Sequence, residues 1–184
     1  MSSIVAEAER KMDGSVGHTK EELGSIRTGR AHPAMFEKIM VDYYGSPTPL
    51  QQLATFQVPE ARTVLIQPFD PGAMKGIEKA IRDSDLGVNP ANDGNVVRLV
   101  LPQLTEERRK EYIKVARTKA EEGKVAVRGI RRHAIDAIKK LAKDKEIGED
   151  EAKGAEKKLD AATKKREESV SELLKAKEAE LLAV

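Results

Sequence analysis

The 184-residue sequence has no cysteine and no tryptophan, and only 3% of its residues are aromatic. Without cysteine the chain can form neither a disulfide nor a thiolate metal site. A wide core usually needs more aromatic bulk, so its scarcity favours long, thin helices that pack through small side chains. No apolar run reaches the roughly 18 residues of a membrane-spanning helix, and the first residues, MSSIVAEAER, do not resemble a signal peptide. These absences predict a soluble cytoplasmic protein.

Proline is absent from both outer parts of the chain, because all eight prolines lie between Pro33 and Pro102. Proline breaks helix interiors, so residues 1–30 and 103–184 can form long helices, whereas the middle cannot. Apolar residues recur every three or four positions in both outer segments, which predicts an elongated antiparallel three-helix bundle. We expect Gly29 to end the first helix, Thr105 to cap the second, and Gly148 to separate the second from the third.

The middle segment has strand and turn signals. The runs KIMVDYY, TVLIQPF and NVVRLVLP predict strands, and Asp70-Pro71 predicts the start of a short helix with one apolar face. The fold class is therefore α+β: a bundle of residues 1–30 and 103–184 with an inserted β/α/β domain at 31–102, in an L shape. Two hinges are expected near 30–33 and 102–105. The hinge residues would be Arg30, Ala31, His32, Pro33, Pro102, Gln103, Leu104 and Thr105.

Charge is unevenly distributed along the chain. The net charge is only +2, but residues 105–147 contain fourteen basic and eight acidic residues, a net charge of +6. On a helix, seven of these cations fall within an arc of about 100°: Lys110, Lys114, Arg117, Lys124, Arg128, Arg131 and Arg132. Such a face fits a phosphate backbone, and the alternative is a solvated helix face with ordinary surface ion pairs. Arg27 and Arg30 would either complement the dipole of the first helix or extend the basic surface.

The sequence contains no motif for catalysis. There is no G-x-x-x-x-G-K-[ST] phosphate loop and no G-x-G-x-x-G turn. His18, His32 and His133 lack the spacing of metal ligands. We therefore expect no catalytic residue, no metal and no cofactor.

Several long blocks identify a family. The stretches IRTGRAHPAMFEKIMVDYYGSPTPLQQLA, AIRDSDLGVNPANDG, LPQLTEERRKEYIKVA and VAVRGIRRHA resemble the bacterial ribosome recycling factor family over essentially the whole chain. The resemblance implies a three-helix bundle with a small hinged domain, shaped like transfer RNA. It also implies a monomer that binds the post-termination ribosome through large-subunit ribosomal RNA. With elongation factor G, which hydrolyses GTP, such a protein splits the ribosome into subunits.

The resemblance also assigns residues. The arginines of VRGIRRHA, Arg128, Arg131 and Arg132, would contact RNA, and Arg27 and Arg30 lie in the RTGR block at the hinge. The chain departs from the family pattern at Gly14, Gly17, Gly24 and Gly129, where each glycine could cost about 0.5–1 kcal/mol of helix stability relative to alanine. Two other function classes stay open: a general RNA-binding protein, and a helical adaptor that recognises a partner helix.

Overall fold

The computed structural model describes residues 2–183. The chain divides into two compact units: a helical unit made of the residues up to 28 and those from 106 onward, and an inserted unit, residues 29–105. The helices are α1 (Ser2–Gly24), α2 (Leu50–Leu53), α3 (Met74–Arg82), α4 (Glu106–Lys143) and α5 (Glu149–Leu182). None of the helices in this described part is long and apolar enough to cross a membrane.

The helical unit consists of α1, α4 and α5, each of which packs against the other two. Most of its buried positions follow the predicted periodicity, and many are small. They include Ala8, Met12, Thr19, Leu23, Ala116, Ala120, Gly123, Val127, Ala134, Ala152, Ala155, Leu159 and Ala162. The expected bundle with narrow, small-residue contacts is therefore confirmed.

α1 and α4 approach each other closely at Gly123. A Cβ atom on Gly123 would lie 2.2 Å from Oγ1 of Thr19, far inside van der Waals contact. Thr19 is itself buried, and its hydroxyl donates a hydrogen bond of 2.9 Å to the carbonyl oxygen of Ser15. The absence of a side chain at position 123 therefore lets the two helices meet.

The helix ends agree with the sequence predictions except at the end of α1. That helix ends at Gly24, so the prediction that Gly29 terminates it is wrong. Gly29 has a left-handed φ of +77°, but it packs beside Leu104 in the inserted unit. As predicted, α4 begins directly after Thr105, and α5 begins directly after Gly148 with Glu149, Asp150 and Glu151 in its first turn.

The inserted unit contains six strands in two antiparallel sheets. They are β1 (Met40–Tyr43), β2 (Ser46–Pro49), β3 (Ala54–Glu60), β4 (Thr63–Pro68), β5 (Ala91–Asn92) and β6 (Val97–Val100). β1 pairs with β2 in a hairpin, and the other four lie in the order β3-β4-β6-β5. The three predicted strand runs became β1, β4 and β6, whereas β2, β3 and β5 were not predicted. β3 holds a proline at the edge of its sheet, where its register with β4 shifts between Gln57 and Glu60.

Helix α3 covers the core of the inserted unit, as its apolar face predicted. Met74, Ile77 and Ile81 are all buried in a cluster with residues from β1, β4 and β6. The chain enters this helix through a 3₁₀ turn, Pro71–Ala73, which the carboxylate of Asp70 caps by accepting a hydrogen bond of 2.8 Å from the Gly72 amide.

Candidate nucleic-acid interface

The seven predicted cations all lie on α4, and together they are called the basic row below. Five of them are exposed, and Lys124 and Arg131 are half-buried. The basic row occupies a different side of α4 from its buried residues, such as Ala120 and Val127, because the two sets differ in helical phase. This face therefore stays accessible when the bundle packs.

Three arginines of the basic row are paired with carboxylates of α5. Arg117 Nε lies 2.6 Å from Glu178 Oε1. Arg128 Nε lies 3.3 Å from Glu167 Oε1, and its other end also contacts Glu121 of α4. The third pair joins Arg131 Nε to Asp160 Oδ1 at 2.6 Å. The surface ion pairs that the sequence left as an alternative are thus present at these three positions.

Three other cations of the basic row have no ion pair among residues 2–183: Lys114, Lys124 and Arg132. Lys110 is paired within α4, with its Nζ 2.7 Å from Glu106 Oε1. The face therefore combines arginines that are fixed by α5 with ammonium and guanidinium groups that are available for an anion. Such a mixture suits a polyanion better than a single small anion, because the charges are spread along the helix.

The two arginines of the RTGR block lie away from α4 in the chain and in different units. Arg27 follows α1 in the helical unit and is exposed, whereas Arg30 belongs to the inserted unit. The dipole explanation for their charge does not hold, because α1 already ends at Gly24 and the dipole effect fades within the last turn.

Three of the candidate hinge residues, Ala31, His32 and Pro33, have contacts within the inserted unit. The Ala31 amide donates a 2.7 Å hydrogen bond to the Ala61 carbonyl. His32 Nδ1 accepts a 3.1 Å hydrogen bond from the Ala34 amide, and Pro33 starts a 3₁₀ turn. At the end of the inserted unit, Leu101 comes directly before Pro102, and its amide donates a hydrogen bond to the Arg62 carbonyl. The chain passes between the units at 28–29 and at 105–106, outside these contacts.

Two cations outside the basic row form ion pairs between helices of the bundle. Arg166 of α5 forms two hydrogen bonds to the Asp13 carboxylate of α1, at 2.9 and 3.0 Å. These bonds from Arg166 lower the pKa of Asp13. Lys119 of α4 lies 3.0 Å from Glu22 of α1, and its hydrogen bonds to Glu22 and Glu122 raise its pKa.

No group of three or more potential metal ligands (His, Cys, Asp or Glu) comes together anywhere in the described residues 2–183. The helical unit is a narrow bundle that presents one long, basic face of α4, and part of that face is ion-paired with α5.

Comparison with known proteins decides the family. The sequence model described as "Ribosome recycling factor" matches residues 19–182. The chain belongs to the ribosome recycling factor family. It is 66% identical to the ribosome-recycling factor of Cutibacterium acnes, 65% to that of Kineococcus radiotolerans and 60% to that of Streptomyces coelicolor, each over 100% of both chains.

Solved members of the ribosome recycling factor family share the fold. A solution structure of a ribosome recycling factor is 43% identical, covers 100% of this chain and 97% of its own, and superposes with a TM-score of 0.76. A second is the T. thermophilus ribosome recycling factor, placed with E. coli elongation factor G on the E. coli post-termination complex. It is 45% identical over 98% of both chains, with a TM-score of 0.64.

Proposed function

We propose that this protein recycles ribosomes in the cytoplasm after translation has terminated. It binds the post-termination ribosome and, with elongation factor G and the GTP that this partner hydrolyses, splits it into subunits. The observation that carries this proposal is full-length membership of the ribosome recycling factor family. A solved relative placed on a post-termination complex together with elongation factor G supports the choice of partners. The protein acts as a monomeric translation factor with no catalytic residue or cofactor of its own.

The basic row is the proposed contact with large-subunit ribosomal RNA. Its seven cations occupy one accessible face of α4, and Lys124 and Arg132 have no carboxylate partner among residues 2–183. Arg117 and Arg131 contact α5 through Nε, so their terminal N–H groups are available to phosphate oxygens, whereas a terminal nitrogen of Arg128 also contacts Glu121. Arg27 and Arg30 add positive charge close to where the chain leaves the helical unit.

The inserted unit is the proposed lever on which elongation factor G acts. The chain crosses between the two units at 28–29 and at 105–106, so few covalent connections oppose their relative rotation. The segments 30–33 and 102–105 border these crossings, and a force on the inserted unit reaches α1 and α4 through them. The free energy for splitting comes from GTP hydrolysis by the partner.

The decisive experiment is a subunit-splitting assay followed by light scattering. Post-termination ribosomes receive this protein, elongation factor G and GTP, and each component is omitted in turn. We expect scattering to fall only when all three are present. Tight ribosome binding without splitting would retain the RNA contact and reject the recycling function. Equally tight binding to unrelated structured RNAs would instead indicate a general RNA-binding protein.

The lever is tested by loosening its connections. A Gly-Ser pair inserted at each crossing, between residues 28 and 29 and between 105 and 106, should preserve ribosome binding but slow splitting, because a slack joint transmits less force. The same insertion between Glu146 and Ile147, in the turn between α4 and α5, is the control. Splitting at the wild-type rate with both joints loosened would reject the lever.

A further inference from the structure

Helix α5 carries a row of carboxylates opposite the basic row of α4. Asp160, Glu167 and Glu178 are the α5 partners of Arg131, Arg128 and Arg117, respectively. On α5 these three acids fall within an arc of about 20°, so they form one line along the helix. They are called the α5 carboxylates below.

The pairing between the two helices has a regular antiparallel register. The residue numbers rise along α4 from Arg117 to Arg131 while they fall along α5 from Glu178 to Asp160. In each pair the contact is made through the arginine Nε, and the arginine side chain stays 40–65% exposed. Arg117 and Arg131 are therefore held through Nε, which is the inner edge of the guanidinium, whereas Arg128 also contacts Glu121 and the Lys124 carbonyl of α4.

The chain does not need these acids to hold α4 against α5. The two helices already share buried apolar contacts, among them Ala134, Ile138 and Leu159. Exposed ion pairs such as these contribute at most about 1 kcal/mol each to stability. Their larger effect is electrostatic, because each carboxylate cancels part of the charge that a phosphate would meet.

We propose that Asp160, Glu167 and Glu178 are selectivity-determining residues of the RNA-binding face. They weaken binding to arbitrary RNA by neutralising the inner edge of three guanidinium groups. They also fix those groups in one orientation, which favours a partner whose phosphates match that arrangement. This inference rests on the proposed function for the identity of the matching partner, ribosomal RNA, but not for the effect on arbitrary RNA.

Loss of the carboxylates strengthens binding to the two kinds of partner by unequal amounts. Any polyanion gains from the added positive charge, since more counterions are released when the arginines bind. The matching partner gains the same charge but loses the fixed orientation of the arginines, so its net gain is smaller. The α5 carboxylates therefore change the ratio of the two affinities.

The test compares two triple variants with the same change in net charge. The first is Asp160→Asn, Glu167→Gln and Glu178→Gln, which removes the α5 carboxylates. The control is Glu21→Gln, Glu168→Gln and Glu172→Gln, because these exposed acids have no ion pair within residues 2–183. Binding to poly(uridylic acid) and to vacant ribosomes is measured at several salt concentrations.

We expect the first variant to bind poly(uridylic acid) roughly 5–10-fold more tightly than the control at low salt. We also expect its log–log salt slope to be steeper by about 2, since each added phosphate contact on a single strand contributes about 0.7. Its ribosome affinity should differ from that of the control by less than about 3-fold. A charge-conserving variant, Asp160→Glu, Glu167→Asp and Glu178→Asp, should keep the wild-type RNA affinity.

Two outcomes would overturn the proposal. One is equal affinity and equal salt slope of the two triple variants on poly(uridylic acid); the other is an equal gain on poly(uridylic acid) and on ribosomes. Folding is checked by circular dichroism, and the single variant Asp160→Asn should show about a third of the slope change if the triple variant unfolds. If the wild type fails to split ribosomes but the triple variants differ on poly(uridylic acid), the recycling function falls and the selectivity role stands.

Discussion

Arg166 on α5 binds the carboxylate of Asp13 on α1 through two parallel hydrogen bonds, from Nε at 2.9 Å and from a terminal nitrogen at 3.0 Å. The Arg166 side chain is only 14% exposed, whereas that of Asp13 is 63% exposed. The two residues are 153 positions apart in the chain. This pair ties the first helix to the last, and it satisfies a guanidinium that the packing of the bundle has largely removed from water.

Asp13→Ala should destabilise the protein by about 1 kcal/mol, which is less than usual for a charged hydrogen bond because Asp13 itself is mostly exposed. The matched control is Asp136→Ala, an exposed helical aspartate with no ion pair in the described part of the chain. Both changes gain the same helix propensity, so the difference between them isolates the ion pair. Urea unfolding measures it, and equal midpoints would mean that the pair contributes nothing.

The contribution of Asp13 should disappear in acid. Its hydrogen bonds from Arg166 lower its pKa below the ordinary value of 3.8. A carboxyl whose pKa is lower in the folded state stabilises the fold at pH values above its ordinary pKa, and the effect is lost as the pH falls through the lowered pKa. The difference in unfolding free energy between wild type and Asp13→Ala should therefore be constant from neutral pH down to about pH 5 and shrink below about pH 4. A difference that stays constant into strong acid would contradict this assignment.

Two glycines of α4 should respond in opposite directions to alanine. Gly123→Ala places a Cβ atom 2.2 Å from Thr19 Oγ1 and should cost about 1–2 kcal/mol of stability, since overpacking outweighs the gain in helix propensity. Gly129→Ala meets no atom within 4 Å and should gain about 0.5–1 kcal/mol. Thermal or urea unfolding distinguishes the two, and stabilisation by both changes would show that α1 and α4 can separate at no cost.

Arg132→Ala should weaken ribosome binding without weakening the fold. Arg132 is exposed and has no ion pair among residues 2–183, so its removal should change stability by less than about 0.5 kcal/mol. If it contacts a phosphate, the log–log salt slope of binding should become shallower by about 1. Arg10→Ala, an exposed arginine of α1 outside the basic row, is the control. Equal losses for the two variants would indicate a general charge effect rather than an RNA contact on α4.

The carboxylate of Asp70 joins two elements of the inserted unit. It caps the turn before α3 through the Gly72 amide and accepts a 2.8 Å hydrogen bond from the Tyr43 hydroxyl of β1. This hydrogen bond to Asp70 is the main cause that raises the pKa of Tyr43. Asp70→Ala should therefore bring the pKa of Tyr43 back toward 10.0 and lower the melting temperature. An NMR titration of Tyr43 measures the first effect, with Asp83→Ala, an exposed aspartate in the same unit, as control. An unchanged Tyr43 pKa would rule out the bond.

Most of the architecture followed from local properties of the sequence. Proline is excluded from helix interiors, so the absence of proline before Pro33 and after Pro102 predicted where long helices could form. Periodicity predicted most of their buried faces, and the strand runs predicted β1, β4 and β6. The sequence did not predict β3, which contains a proline and lies at the edge of its sheet. A strand tolerates a proline only where that position needs no backbone N–H for pairing, and the sequence does not show which edge of a strand is unpaired.

The candidate RNA-binding face was also only partly predictable from the sequence. Its cations share one face of α4 because residues spaced along a single helix have a fixed angular relation, which the sequence contains. The carboxylate partners of these cations could not be predicted, because they are distant in the sequence. Asp160 is 29 residues from Arg131, and Glu178 is 61 residues from Arg117. Which carboxylate meets which guanidinium depends on the register of α5 against α4, and that register is set by side-chain packing across the bundle. The sequence by itself therefore determined the helices, the inserted unit and the charge on α4, while only the tertiary structure decided which arginines are held and which remain available.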